Sequence, residues 1–186
     1  MLKRILASFA LVVFVVTLLG VLFVYMPYVA KRDTYHRYYS DEVERYSQEF
    51  GIDDDFVYAV IKVESNFDPS AISDVGAIGL MQIIEDSFDW VAGKLGEREI
   101  MRFEDMYTPE YSIKYGCFML SYLYNKYKSY ELTAAAYHSG MTTVDNWLSE
   151  GVVDATNPDV DSFIGDNTRH YVKKIMRAFE KYSNLE

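Results

Sequence analysis

The residue of this chain best suited to acid chemistry is Glu64. Val57, Val60, Ile61 and Glu64 recur at offsets of 3, 4 and 7, one face of a helix that the pattern predicts from about Asp53 to Glu64. That face is otherwise apolar, so the carboxylate at its end is drawn out of water beside the partial negative charge of a helix C-terminus. Both effects disfavour the charged form and raise the pKa. A carboxyl that keeps its proton near neutral pH is what a glycosidase requires of its general acid. The same pattern also fits a boundary glutamate reaching back to solvent. A loop follows from Ser65, punctuated by Gly76 and Gly79 and ending in G-L-M-Q at Gln82. Asp68, Asp74 and Asp89 are further acids that could act as a partner, although each is more simply a loop or turn residue. Asp68, just before Pro69, suits a turn.

Other chemistries find little support. There is no His/Cys/carboxylate cluster at metal-ligand spacing and no phosphate-binding glycine loop beside a strand, so neither a metal nor a cofactor is expected. Cys117 is the one cysteine, which rules out an intrachain disulfide, and the helical pattern around it suggests a buried thiol. Four of the 18 basic residues and none of the 28 acidic ones lie in residues 1–32, which leaves 14 against 28 beyond them, a net charge of −14. That balance argues against nucleic acid, and against docking on anionic lipid or anionic wall polymer by charge alone. A neutral polymer such as a sugar chain stays open. The 17 tyrosines decide nothing, since tyrosine stacks on sugars and also packs in helical cores.

The elements that must hold Glu64 in place follow from the pattern. Ile5 to Met26 are 22 residues without a charge, flanked by Lys3 and Arg4 before and Lys31 and Arg32 after. This stretch is long enough to cross a hydrocarbon core of roughly 30 Å as a single N-terminal transmembrane helix. Its length and the absence of a small-residue cleavage site favour an uncleaved anchor over a signal peptide. The expected division is a membrane anchor over 1–32, a spacer over 33–39 and one domain over 40–186 that faces away from the cytoplasm. Ser40 is expected to cap a helix ending near Phe50. Asn66 to Pro69 ends the Glu64 helix, and the apolar run Leu80–Ile84 predicts another helix continuing towards Leu95. Thr108-Pro109-Glu110 opens a long helix with a capping hydroxyl and proline in its first turn. Its stripe of Tyr111, Tyr115, Phe118 and Tyr122 reads as core. Short helices follow over Leu132–Tyr137 and around Val144–Leu148, then a surface loop from Val152 to Asp166. The last helix, from about Thr168 to Tyr182, repeats Tyr171, Ile175 and Phe179, and Asn167 suits its N-cap. The domain is mainly α, an irregular helical bundle without strand pairs or internal repeats.

Four blocks in order resemble a known family: Glu64-Ser65; G-A-I-G-L-M-Q at Gly76–Gln82; A-Y-H-S-G at Ala136–Gly140; and N-T-R-H-Y-V at Asn167–Val172. Together they look like the soluble lytic transglycosylases, over roughly residues 38 to 182. The resemblance implies a lysozyme-like helical fold that cleaves peptidoglycan glycan strands between N-acetylmuramic acid and N-acetylglucosamine. It implies a single catalytic glutamate, Glu64, with Ser65, Ser73, Gly79, Met81, Gln82, Tyr137, His138 and Tyr171 as the substrate-binding set. Gly76 and Gly79 would let the backbone approach the glycan. Because the family lacks a second carboxylate, it implies ring closure to a 1,6-anhydro sugar; a hydrolytic muramidase and a non-catalytic wall-binding scaffold are the alternatives. Two positions depart from the family. His138 stands where asparagine is usual, and could take over its hydrogen bonding or be a structural histidine at a helix end. Asn167 stands where glutamate is usual.

Overall fold

The computed structural model describes residues 11–25 and 35–185 and divides into two compact units, Met1–His36 and Arg37–Glu186. In the first, residues 11–25 are helical and their apolar side chains, from Leu11 to Tyr25, are exposed. The two ends of the expected Ile5–Met26 span, with Lys31 and Arg32, lie outside the described residues. Among the described residues no helix is long and apolar enough to cross a membrane.

The second unit is helical, with α1 (Ser40–Phe50), α2 (Asp54–Glu64), α3 (Glu85–Leu95), α4 (Pro109–Tyr127), α5 (Tyr130–Ser139), α6 (Met141–Ser149) and α7 (Asp166–Ser183). Short 3₁₀ turns occupy Phe103–Tyr107 and Val160–Ser162. Arg37 and Tyr38, expected in a spacer, pack into this unit. The Arg37 guanidinium pairs with Asp54 and Asp55, donates to the Tyr182 carbonyl at 3.3 Å and lies 4.9 Å over the Tyr58 ring. Tyr38 meets Phe67 edge-on at 5.4 Å.

The Glu64 helix is framed as its sequence predicts. The Asp53 carboxylate accepts the Asp55 N–H at 2.9 Å, and Phe56, Val57, Val60 and Ile61 are fully buried. This face packs against α7, whose Val172, Ile175 and Tyr182 are buried in return. In α4, Tyr115 is fully buried and stacks on Phe88 at 5.5 Å. Tyr122 is 40 % exposed and meets Trp90 at 4.9 Å, so the aromatic stripe is core at one end and surface at the other.

Several expected boundaries move. Ser40 is the first residue of α1, preceded by a left-handed Tyr39 with no side-chain cap. Thr108 stays at the N-cap of α4, with Pro109 in the first turn as expected, but its hydroxyl makes no capping bond. Asn167 lies inside the first turn of α7, which is capped by Gly165. The largest change concerns Leu80–Ile84, which forms turns instead of a helix, with Ile78 pairing antiparallel to Ile72 and Ile83. Its backbone groups are claimed from outside: Leu80 O by Ser65, Met81 N by Ser112 and Met81 O by Tyr137.

Two glycines fit this loop to the helices behind it. Gly79 is buried at φ +77°, and a Cβ there would stand 2.0 Å from the Met106 carbonyl oxygen. A Cβ on Gly116, within α4, would stand 2.0 Å from the Met81 sulfur. Gly76 has a similar φ of +79° but open space around it. Ala at Gly76 therefore costs only the left-handed penalty of roughly 1 kcal/mol, whereas Ala at Gly79 adds a backbone collision and costs roughly 3 kcal/mol. Thermal unfolding should drop by roughly 10 °C for Gly79→Ala and roughly 3 °C for Gly76→Ala. Equal losses would show that the Met106 contact yields easily.

Candidate active site

Glu64 ends α2 and is half-buried beneath α7. Tyr171, on the inner side of α7 and 9 % exposed, donates its hydroxyl to Glu64 Oε1 at 2.6 Å. Burial pushes the Glu64 carboxyl from 4.5 to about 7, and the Tyr171 hydrogen bond, which favours the charged form, opposes the shift only in part. Among the described residues no cation and no second carboxylate contributes to it. Tyr137 also feels the Glu64 charge, and burial together with that charge holds both phenols well above their ordinary range, so they remain neutral donors. The other acids stay apart from this chemistry. Asp68 accepts the Ser70 N–H at 2.9 Å and the Ser70 hydroxyl at 2.7 Å in a turn of its own, and Asp74 and Asp89 are exposed.

The wall beside Glu64 is the loop that ends in G-L-M-Q. Ser65 donates its hydroxyl to Leu80 O at 2.8 Å, which ties the end of α2 to this loop. Gln82, left-handed at φ 49°, donates from Nε2 to Gly79 O at 3.0 Å and Ala71 O at 3.2 Å. The Ser73 hydroxyl accepts the Ala77 N–H at 3.0 Å. Buried Met81 donates its N–H to Ser112 Oγ at 3.1 Å, and its carbonyl accepts from the Tyr137 hydroxyl at 2.8 Å. His138 lies at the surface with its ring stacked on Tyr171 at 4.5 Å, and this partial burial pulls its pKa below the usual histidine value.

Of the residues that the sequence singled out, Glu64, Tyr171, Tyr137, Met81 and His138 therefore meet in one place. Ser65, Ser73 and Gln82 have polar atoms engaged in holding the loop. Gly79 faces Met106, so the absence of its side chain makes room for a protein carbonyl where a close approach to a ligand was expected. Sequence reasoning passed over Ser112 and Gly116. Gly116 left a signal, because a glycine in the middle of a helix usually has a packing reason. A cavity of about 410 Å³ opens at Tyr137 and His138 and continues past Ile84, Asp86, Trp90 and Met141; Glu64 is not among its lining residues.

Residues 41–157 match the family described as the transglycosylase SLT domain. The chain belongs to that family. Among its relatives, the soluble lytic murein transglycosylase of Escherichia coli K12 is 31 % identical over 147 residues, covering 77 % of this chain and 22 % of that protein. The membrane-bound lytic murein transglycosylase C of Actinobacillus pleuropneumoniae is 28 % identical over 172 residues, covering 80 % of this chain and 47 % of that protein. The chain thus spans under a quarter of the first relative and about half of the second. A crystal structure of the 70 kDa soluble lytic transglycosylase from E. coli superposes with a TM-score of 0.72 at 28 % identity, over 80 % of this chain and 24 % of that one. The SLT domain here therefore has the mainly helical, lysozyme-like fold. Tyr171 lies beyond the residues that match the family, on the helix that covers Glu64.

Two measurements follow from the Glu64 environment. Because the Tyr171 hydroxyl stabilises the carboxylate, Tyr171→Phe should raise the Glu64 pKa above its value of about 7, read by NMR titration of the side-chain carboxyl. An unchanged or lower pKa would mean the hydrogen bond is not formed in solution. The second concerns stability. An unfolded glutamate titrates near 4.5 and the folded one near 7, so the fold is penalised as pH rises between these values and carries the full penalty above about 7. Glu64→Gln should stabilise the domain by up to roughly 3 kcal/mol near pH 8 and give no gain from this source near pH 4.

Proposed function

We propose that this SLT domain is a peptidoglycan lytic transglycosylase and that Glu64 is its one catalytic residue, acid first and base afterwards. The observation that carries this reading is a half-buried carboxyl with a pKa of about 7, held by a neutral phenol, with no second carboxylate among the described residues acting on it. Glycosidases that use protein groups alone place two carboxylates across the scissile bond. With one, the substrate must supply the other function. Glu64 protonates the glycosidic oxygen between N-acetylmuramic acid and N-acetylglucosamine, and the acetamido oxygen of the muramic acid stabilises the developing cation at C1. The Glu64 carboxylate then takes the proton of the C6 hydroxyl, whose oxygen bonds to C1 and closes a 1,6-anhydro ring. Water is not consumed, and Glu64 regains its proton. A pKa near the working pH serves both halves of this cycle.

Tyr171 supports this reading as the group that can stabilise Glu64 in its charged interval, while Tyr137 and Met81 form the adjoining wall. We assign substrate contact to Tyr137, His138 and Tyr171; Met81, expected to bind substrate, is fully buried and shapes the wall from behind. Ser65, Ser73, Gly79 and Gln82 belong to the site through the loop they hold in shape. The relatives named above act as precedent for murein as substrate, and one of them is named membrane-bound. With the uncharged stretch Ile5–Met26, this supports an N-terminal anchor over residues 1–32 and a catalytic domain on the outer side of the cell membrane.

Digestion of purified peptidoglycan tests the proposal. Muropeptides should be released one water lighter than hydrolysis products, and Glu64→Gln should lower the release rate by roughly a thousandfold. Products of full mass would make the protein a hydrolase, and unchanged release by the variant would remove Glu64 from the chemistry. Activity should decline above about pH 7 as Glu64 loses its proton, and Tyr171→Phe should carry that decline to higher pH.

A further inference from the structure

An exposed flank of α7 carries three cations in line. Lys174, Arg177 and Lys181, spaced at 3 and 4 residues, share one side of the helix and are all exposed, on the flank of the side that carries Tyr171 and Ile175 to the core. Six other basic residues are held by acids: Arg37 by Asp54 and Asp55, Arg45 by Glu110, Lys114 by Glu97, Lys126 by Asp145, Arg169 by Asp166 and Lys173 by Asp161. Lys174, Arg177 and Lys181 have no such partner among the described residues; Lys94, Arg98, Arg102 and Lys128 form no ion pair either, but they are dispersed over the end of α3, the loop after it and the end of α4 and do not line one helix side. The nearest acid along the helix is Glu180, on the flank of the stripe. None of the best-formed cavities is lined by any of the three. Three cations along roughly 10 Å of a convex helix suit a flat, diffuse anion more than a discrete ligand.

The location of the stripe indicates which anion. The chain enters this domain at Arg37, and Arg37 lies against the last turn of α7, bonded to the Tyr182 carbonyl and 5.9 Å over the Tyr182 ring. Tyr182 follows Lys181 directly. The three aspartates at the start of α2 also lie at this end, but Arg37 pairs with Asp54 and Asp55, and Asp53 accepts the Asp55 N–H. The unpaired stripe thus begins beside the point to which the apolar N-terminal segment is joined. We infer that Lys174, Arg177 and Lys181 form a docking face for the anionic lipid surface of the membrane that holds that segment. This rests on the anchor proposed above. The domain as a whole is repelled by anionic lipid, so the stripe alone binds weakly. A tether changes this, because it holds the domain at high effective concentration and leaves the stripe to decide which face turns inward. Each lysine or arginine near an anionic bilayer contributes about a fivefold preference, so three give roughly a hundredfold.

The test uses the full chain inserted in vesicles, with a fluorophore at Asn184→Cys and a quencher on the lipid headgroups. Vesicles are phosphatidylcholine alone or an equal mixture with phosphatidylglycerol. Quenching should be strong only on the mixed vesicles and should fall to the neutral level with added salt. It should fall likewise in the triple variant Lys174→Gln, Arg177→Gln, Lys181→Gln, whose fold is checked by thermal unfolding and whose glycan release from soluble fragments should be unchanged. Equal quenching on both lipids, or full quenching of the triple variant, would overturn the inference. So would loss of quenching on mixed vesicles when soluble poly(glycerol phosphate) is added at matched charge, which would assign the stripe to a wall polymer. Insertion is read separately, by co-flotation with neutral vesicles at high salt. If it fails, the anchor is wrong, and the inference falls with it, because the stripe orients the domain only when a tether holds it at the surface.

Discussion

A carboxyl at the covered end of α2 must give up water, and what replaces that water decides its chemistry. A cation at hydrogen-bonding distance would lower the pKa by one to three units and leave a carboxylate unable to donate a proton. A purely apolar cover would hold the proton too tightly for the return step. Tyr171 lies between these extremes, since a neutral hydroxyl stabilises the charged form through one 2.6 Å bond and leaves burial as the larger influence. The close packing of α2 on α7 is therefore a requirement of the chemistry as well as of the core. Sliding α7 by one turn, about 5.4 Å, would remove Tyr171 from reach and keep most of the apolar contact.

The loop from Ser65 to Gln82 meets a related demand by other means. Regular structure would satisfy its backbone internally, and a helix over Leu80–Ile84 would turn the Met81 carbonyl along the helix axis. Instead, Tyr137 and Ser112 bond to Met81, and Ser65 bonds to Leu80. These bonds join Ser65 at the end of α2, Ser112 of α4 and Tyr137 of α5 at Leu80 and Met81. The closeness they impose is why Gly79 and Gly116 carry no side chain toward Met106 and Met81. An open coil could occupy the same space, but it would not hold a wall of fixed shape next to the acid.

This division explains what could be read from the residues alone. The helical face ending in Glu64 was legible because Val57, Val60 and Ile61 are spaced for it, and burial of that face alone predicted the direction of the pKa shift. The Tyr171 partner was visible only as a member of an apolar repeat, since 107 residues separate it from Glu64 and nothing local says which way its hydroxyl points. The caps expected at Ser40 and Asn167 moved because N-capping is a weak local preference, and Tyr39 and Gly165 provide positive-φ geometry one or two residues earlier, whereas Thr108 caps α4 where expected without a bond from its hydroxyl. The apolar run at Leu80 predicted burial correctly and helix wrongly. Short apolar runs report how much water is excluded, whereas the backbone conformation depended on Ser65, Ser112 and Tyr137, which are distant in sequence.

Charge follows the same logic. A net value of −14 sums every ionised group with equal weight, yet a lysine held by an aspartate presents little field to a partner, and an unpaired one on a regular face presents most of its own. Folding makes that distinction. It draws Arg37, Lys114 and Lys173 into pairs and leaves Lys174, Arg177 and Lys181 in line on an exposed flank of the helix that bonds the acid. Repulsion from an anionic surface and attraction by one face are compatible, because the first depends on the total and the second on the gradient across the molecule. For a freely diffusing domain the total would decide, and binding would fail. For a tethered one the total is largely offset by attachment, and the gradient sets orientation, so α7 can hold Tyr171 against Glu64 with its buried side and direct the domain with an exposed flank.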